Sequence, residues 1–458
     1  MQELLLHVFR TIEQTNICYC VLRGYEELEE MEDGGDVDLL VQADQLDHFR
    51  EVLARLEFVM LPVWGHAPHL FFVAYDQSAD RWLKLDVVTI VAFGKPIHAI
   101  QTSLASNCLD RRRRREPTFV LSAEDELLTL LLHCALDKGM FAPHRRARLQ
   151  ALRREVTDAR YLSEQLHACW SPAMSWQRLA GLIDGERWAD LLAERAAVAA
   201  WLARGQQLGV LGRRFGRRLL RKLDRFAGAV QPRSLTVALL APDGGGKTTL
   251  ATELARRFFL PSCYIYMGSN IEASTVGLPT TRWILARSKR PKQAGQMPAW
   301  ALARCLRFVN NIAEQWYRYG ISYYHIICGR LILFDRFVYD GQLNASRKRS
   351  LKTRVRRWLL SVGAPKPDLV VFLDAPGELL YARKGEHSPE ILEQQRQHYL
   401  GLREFIPQMV VVDATRDAEQ VRRTVTALIW HSYAKHLCGG SVARGDLSEI
   451  AHERTSTP

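Results

Sequence analysis

The residues best suited to chemistry stand at 243–249, which read Asp-Gly-Gly-Gly-Lys-Thr-Thr. The glycines Gly244, Gly245 and Gly246 let backbone N–H groups close around phosphate oxygens. Lys247 would reach the β- and γ-phosphates of ATP, and Thr248 would ligate Mg²⁺. An apolar run at 235–240 predicts a strand before this loop, and 250–258 predicts a helix after it. This order favours a phosphate-binding loop, with Asp243 and Thr249 at its ends, over a glycine turn that binds nothing.

A second pair of candidates follows another apolar run, 331–334. A strand there would deliver Asp335 and Arg336 at its carboxyl end, where open α/β sheets bind ligands. Asp335 could hold Mg²⁺ or accept a proton, and Arg336 could grip an acceptor phosphate. The alternative is a structural ion pair at a strand end.

Two cations, Arg383 and Lys384, follow the strand-like run 369–373 and a helical segment. On a lid that closes over ATP, such cations would neutralise charge as the γ-phosphoryl group moves. The alternative is ordinary charge at the end of a helix.

Together, PDGGGKTT, FDRF and LDAP…ARK resemble the thymidylate kinase family of P-loop kinases over residues 233–430. The resemblance implies that Asp335 and Arg336 position the acceptor and that Asp243 touches its sugar. It also implies that Arg383 or Lys384 supplies the catalytic cation. Ala241 departs from the usual opening glycine, which is tolerable if its φ stays negative. The family's acceptor-binding segments are replaced by YIYMGSNIEAS and DGQLNASRKRS, so the acceptor is open: a nucleotide, a sugar or another phosphorylated small molecule.

Three carboxylates form a separate candidate site near the N-terminus. Asp36 and Asp38 lie two apart in DVDLLV, so both face one side of a strand, and Asp86 lies in the strand-like LKLDVV. Such a set can hold two Mg²⁺ ions, one activating a hydroxyl nucleophile and one steadying pyrophosphate. The alternative is a metal-free strand pair with exposed aspartates.

The pattern LRG-x₁₁-DVDLLV followed by LKLDVV resembles the minimal nucleotidyltransferase superfamily over residues 1–120. The resemblance implies nucleotide binding at Gly24, although Tyr25 stands where that superfamily usually has serine. A retained fold without catalysis is the other possibility.

The elements that would position these residues predict an α/β protein. We expect a nucleotidyltransferase-like domain at 1–120, then a helical region and basic linker helix at 121–232. A thymidylate kinase-like domain with a five-stranded parallel sheet flanked by helices would occupy 233–432, and a disordered tail 439–458. Ser122 with Asp125 resembles a capping box that would start the helical region.

Composition narrows the class of protein. The 458 residues are 47% hydrophobic and 24% charged, which is ordinary for a globular chain. The nine cysteines contain no Cys-x-x-Cys pair, and no apolar run approaches bilayer length. We therefore expect a soluble, cytoplasmic protein.

The net charge of +12 is concentrated in two places, Arg111–Arg115 and residues 204–225. The first predicts a solvated basic loop. The second has apolar residues every three or four positions among arginines, which predicts a basic amphipathic helix over 208–226. We expect its apolar stripe to pack on a domain with the arginines solvated; contact with nucleic acid or an anionic membrane is the alternative.

Three histidines carry weaker predictions. His66 and His69 flank Pro68 and could be ligands, but we expect them to be solvated in a loop. We expect His133 to be a hydrogen-bonded core residue. The leading hypothesis is an ATP- and Mg²⁺-dependent kinase acting on a nucleotide or other small molecule. A second hypothesis adds nucleotidyl transfer by the N-terminal domain, which would make the chain bifunctional, and a homodimer is left open. The alternative is a nucleotide-sensing regulatory protein that binds nucleic acid or membrane through its arginine-rich helix.

Overall fold

The computed structural model describes residues 3–28, 35–61, 65–95, 98–227, 234–268, 278–281, 300–337 and 363–438. The chain divides into two compact units, Met1–Phe226 and Ala227–Leu437. Both are α/β, and the second contains a five-stranded parallel sheet, so the predicted fold class is confirmed. The finer division at residue 120 stays a prediction, and the tail 439–458 lies outside the described residues.

The N-terminal unit is built on a seven-stranded mixed sheet of order β3-β4-β5-β2-β1-β9-β8. Its strands, with a separate β6–β7 pair, are β1 Tyr19–Arg23, β2 Asp36–Val41, β3 Val59–Leu61, β4 Leu70–Asp76, β5 Arg81–Val88, β6 Ala92–Phe93, β7 Ile100–Gln101, β8 Arg113–Arg115 and β9 Thr118–Val120. Its helices are α1 Glu3–Gln14, α2 Leu46–Arg55, α3 Leu104–Asp110, α4 Ala123–Leu132, α5 Pro143–Glu155, α6 Ala159–Cys169, α7 Trp176–Asp184, α8 Trp188–Ala193, α9 Arg195–Ala203 and α10 Gln207–Ala227.

This sheet has a hydrophobic core on each face. Successive side chains of a strand point to opposite faces, so neighbouring residues enter different cores. On β2, Leu39 packs in a core shared with α1 and α2. Its neighbour Leu40 packs in a second core that runs through helices α3–α9, including Leu127 and Trp170. The helical region therefore completes the sheet's second core.

The basic helix forms as α10, but its orientation is opposite to our expectation. Arg217 is buried and its guanidinium donates to the His98 carbonyl. The apolar residues Leu208, Leu211 and Phe215 are exposed. The prediction that the apolar stripe packs on a domain is wrong, because the arginine side chains find backbone carbonyl acceptors instead.

The arginine run is also not a solvated loop. Arg113–Arg115 form β8 at the sheet edge. Arg114 pairs with Glu13 at 2.6 Å and Arg115 with Glu26 at 2.7 Å. Carboxylates distant in sequence thus pair with two of these exposed arginines.

The C-terminal sheet is entirely parallel, in the order β11-β12-β10-β13-β14. Its strands are β10 Leu235–Leu240, β11 Ser262–Tyr266, β12 Leu331–Asp335, β13 Leu369–Asp374 and β14 Met409–Asp413. Strands β10, β12 and β13 agree with the predicted runs to within one residue. Its described helices are α11 Lys247–Arg257, α12 Trp300–Ile327, α13 Gly377–Lys384, α14 Pro389–Gly401 and α15 Ala418–Cys438. The strand order reverses at β10, and the crevice at such a switch point is where ligands bind. None of the described helices combines the length and hydropathy needed to cross a bilayer.

Candidate functional site

The glycine loop lies at the carboxyl end of the central strand β10 and leads into α11. Gly244 and Gly246 have φ of +89° and +78°, which side-chain-bearing residues rarely adopt. A Cβ at Gly244 would lie 2.5 Å from the Leu380 carbonyl oxygen, and one at Gly245 would lie 2.5 Å from the Ala241 Cβ. Ala241 itself lies outside the left-handed region. Only glycine fits at 244 and 245, so the loop brings backbone amides close to any ligand.

Lys247 is the first residue of α11 and lies across the loop. Its Nζ donates to the carbonyls of Ala241 at 2.6 Å and Pro242 at 2.8 Å, and only 7% of the residue is exposed. A buried ammonium needs acceptors, and here the loop backbone provides them. Incoming phosphate oxygens can take the place of these carbonyls.

Asp335 is the central acid of the site. It ends β12, is fully buried, and its Oδ2 accepts from Thr248 Oγ1 at 2.6 Å and Tyr264 OH at 2.9 Å. Its Oδ1 has no hydrogen-bond partner among the described residues. A buried carboxylate oxygen without a donor is costly unless a ligand or ion completes it. The structure thus brings together Thr248 and Asp335, both predicted from the sequence.

Tyr264, on the neighbouring strand β11, was missed by sequence reasoning. Burial raises the pKa of its phenol, and the charge of Asp335 adds to that effect, so the hydroxyl remains a donor at neutral pH. Its signal in the sequence was slight, since a tyrosine in an apolar strand is ordinary core.

Arg336 follows Asp335 and forms an ion pair with Asp243 of the glycine loop. Its φ of +59° is unusual for a side chain of this size, and such strain concentrates at functional sites. His387 approaches the same carboxylate at 3.7 Å. The loop aspartate and the arginine predicted to grip the acceptor therefore form one unit.

The two predicted lid cations end α13 and point to other partners in this structure. Arg383 donates to the Ala414 carbonyl at 3.0 Å, and Lys384 pairs with Glu386 at 3.0 Å. Both partners lie outside the glycine loop, so the catalytic role of Arg383 and Lys384 stays a prediction.

Another arginine, Arg396, fixes the neighbouring helix α14. It forms a bidentate pair with Asp374 at 2.6 and 2.9 Å, and these hydrogen bonds raise the pKa of its guanidinium. The separation of 22 residues gives no sequence pattern by which this pair could be found. It anchors α14 to the carboxyl end of β13 beside the crevice.

The predicted N-terminal acids lie on the neighbouring strands β2 and β5, and each already has a side-chain partner. Asp38 and Asp86 are register partners on the parallel strands β2 and β5. Asp36 pairs with Lys84 at 2.9 Å, Asp38 with Arg23 at 2.9 Å, and Asp86 with His69 at 2.8 Å. Gly24 has φ of +73° just after β1. In the described part of the chain, no group of three or more His, Cys, Asp or Glu is arranged to hold a metal ion. The two-metal site stays a prediction, and these ion pairs argue against it.

A buried network extends from these acids. The expectation of a solvated His69 is wrong, because it pairs with Asp86 and its ring lies 4.6 Å from that of His98. His133 is a hydrogen-bonded core residue as predicted, contacting Arg23 at 2.6 Å and Asp137 at 2.8 Å. Burial is the main cause that lowers the pKa of both His98 and His133 to about 4. Both rings are therefore neutral at physiological pH.

A parallel sheet with a glycine loop at its switch point and an Asp-Arg pair on the adjacent strand defines a P-loop kinase class of domain. Residues 242–425 match the family model described as thymidylate kinase. The C-terminal half is therefore similar to thymidylate kinase over these residues.

Several known proteins are similar to this part of the chain. A probable thymidylate kinase of Pyrococcus horikoshii is 28% identical over 209 residues, which cover 43% of this chain and 97% of that protein. One from Thermococcus onnurineus is 26% identical, covering 42% and 96%. One from Pyrococcus abyssi is 32% identical over 113 residues, covering 22% and 53%. Thymidylate kinase from Candida albicans is a solved structure with a TM-score of 0.31 and 20% identity, covering 44% and 93%.

Proposed function

We propose that the C-terminal half transfers the γ-phosphoryl group of ATP to a small phosphorylated acceptor, with a nucleoside monophosphate as the first candidate. The observation that carries this proposal is the Thr248–Asp335 contact beside the glycine loop, where one buried oxygen of Asp335 has no donor among the residues that the structure describes. Each residue belongs to a different element, so their convergence is a property of the fold.

Lys247 would change its hydrogen-bond partners when ATP binds. Its ammonium would exchange the carbonyls of Ala241 and Pro242 for β- and γ-phosphate oxygens, keeping its hydrogen bonds while gaining charge attraction. Backbone N–H groups of the loop and the start of α11 add further donors. Together they orient the γ-phosphate toward the crevice.

The residues also fit Mg²⁺. Thr248 and Asp335 would hold the ion, since a hydroxyl and a carboxylate are ligands it prefers. In the described part of the chain, the buried Oδ1 of Asp335 has no donor. When bound, Mg²⁺ supplies neutralisation of phosphate charge. Tyr264 then keeps the carboxylate oriented from the other side.

The acceptor would lie against Arg336. Its guanidinium can bind a phosphate bidentately, and the ion pair with Asp243 holds it at the loop. The sequences that depart from the family's acceptor-binding segments fall mostly at 269–277 and 338–362, outside the described residues. Arg383 or Lys384 would add positive charge after lid closure, as we predict from the sequence.

The test combines an acceptor panel with one substitution. Lys247→Ala should lower ATP turnover by about 100-fold or more, because the phosphates lose their only ammonium from the loop. The matched control is Lys366→Ala, which removes an exposed lysine from the same unit. Nucleotide binding that is unchanged in Lys247→Ala would refute the proposal, as would no ATP turnover with any acceptor in a broad panel. Binding without turnover would favour the nucleotide-sensing alternative.

We propose nucleotidyl transfer by the N-terminal unit as a second candidate, on the single observation that Asp38 and Asp86 are register partners. As arranged, the carboxylates do not fit two metal ions, because Lys84, Arg23 and His69 occupy them. We therefore derive no catalytic step there. Pyrophosphate release from labelled nucleoside triphosphates, abolished by Asp36→Asn with Asp38→Asn, would support this activity, and release that survives both changes would exclude it.

A further inference from the structure

Arginines of helix α10 hold it against the rest of the N-terminal unit. Arg213 donates to the Ala99 carbonyl at 2.8 Å, and Arg217 donates to that of His98 at 2.8 Å. Arg221 donates to the Gly65 carbonyl at 3.0 Å. The helix lies so close that a Cβ at Gly65 would come within 2.5 Å of the Arg217 carbonyl oxygen. One face of the helix is thereby fixed, and its rotation about its own axis is set.

The opposite face carries large apolar side chains that are open to solvent. Leu208 is 86% exposed, Leu211 61% and Phe215 74%. Leu219 and Leu223 continue the stripe at helical spacing and are also exposed. A continuous apolar stripe of this kind marks an interaction surface, because isolated monomers rarely expose one.

Positive charge borders this stripe on one side. Arg214, Arg218 and Lys222 are exposed and stand at i, i+4 and i+8, so they form a row beside the leucines. The segment 207–223 contains no acidic residue. The surface therefore combines an apolar centre with an uncompensated cationic edge.

We propose that α10 binds the surface of an anionic lipid membrane, lying in the plane of the headgroups. The leucines and Phe215 would enter the boundary between headgroups and acyl chains, and the cationic row would contact lipid phosphates. A second copy of the chain would bring two basic rows together, with no acid between residues 207 and 223 on either helix to offset them. A nucleic acid would pair with the cations but would leave the apolar stripe exposed to water. Only an anionic membrane suits both halves of this surface.

The test is co-sedimentation of the full chain with vesicles of phosphatidylcholine alone and with about 30 mol % phosphatidylglycerol. We expect binding to the anionic vesicles only. The double variant Leu211→Ser with Phe215→Ser should bind about tenfold or more weakly, because it removes apolar surface that would enter the lipid. The control is Phe405→Ser, which removes another exposed phenylalanine and should bind as the parent does.

Two further measurements decide between occupants. Replacing Arg214, Arg218 and Lys222 by Gln should abolish the preference for anionic vesicles while far-ultraviolet circular dichroism stays unchanged. The proposal is overturned if the parent chain does not bind anionic vesicles, or if the double serine variant binds them as the parent does. It is also overturned if that variant turns a dimer into a monomer in light scattering without changing vesicle binding.

Discussion

At the scale of single residues, the most informative feature is the close approach of Ala241 and Gly245 in the glycine loop. Ala241 stands where related loops usually have glycine, and its methyl group lies where a side chain at Gly245 would be. The methyl at 241 thus makes glycine at 245 obligatory. This coupling explains how the loop tolerates the departure from the pattern.

We predict that Gly245→Ala lowers ATP affinity by about tenfold or more, because the two Cβ atoms would lie only 2.5 Å apart. Adding Ala241→Gly should restore part of the affinity, since it removes one of the clashing atoms. Isothermal titration with an ATP analogue measures both.

The control for this pair is Gly401→Ala, at a glycine in the same unit with open space around its Cβ position. It should leave affinity unchanged. Equal losses in Gly245→Ala and the double variant would show that the Ala241 methyl is not the obstacle.

At the scale of elements, the sequence predicted features that form within a single helix or strand. The cap at Ser122 is confirmed: its Oγ accepts from the Asp125 N–H at 3.2 Å and donates to Asp125 Oδ2 at 2.6 Å. Asp125 is itself buried and also accepts from Tyr161 OH at 2.6 Å. The start of α4 is thus tied to α6.

We predict that Ser122→Ala lowers the free energy of unfolding by about 1–2 kcal/mol, because it removes the cap and one donor to a buried carboxylate. Urea denaturation measures the change. Ser106→Ala, at an exposed helical serine of the same unit, should change stability by less than about 0.5 kcal/mol. A loss no larger than in this control would contradict the assigned role of the cap.

Sequence reasoning failed where side chains met partners far along the chain. The strands bearing Asp335 and Asp38 were predictable because apolar runs of strand length mark them. The pairing of His69 with Asp86, and that of Arg114 with Glu13, depends on the sheet order, which periodicity does not specify. The prediction of the orientation of α10 also failed. The backbone carbonyls that accept hydrogen bonds from its arginines cannot be recognised in a sequence.

At the scale of the whole molecule, the buried histidines link stability to pH. His98 and His133 have pKa values near 4 in the folded chain, against about 6.5 when unfolded. Since the unfolded chain binds more protons between these values, stability is complete above about pH 6.5 and falls as pH decreases toward 4.

We therefore predict that amide protection in the N-terminal sheet weakens between about pH 7 and pH 4.5, by up to about 1.4 kcal/mol per pH unit for each histidine. Hydrogen exchange of the full chain measures this protection. His133→Asn should flatten the dependence, and His48→Asn, which changes a half-exposed histidine, should not. An unaltered slope in His133→Asn would show that this ring does not carry the linkage.

The core that joins β2 to α4 and α6 determines where the chain can be truncated. The sequence motifs alone suggest a boundary near residue 120. A polypeptide that ended there would expose Leu40 and its core neighbours to water and would be prone to aggregate. That core extends through α9 to Leu202, so an N-terminal piece must reach at least this residue to keep the core dry.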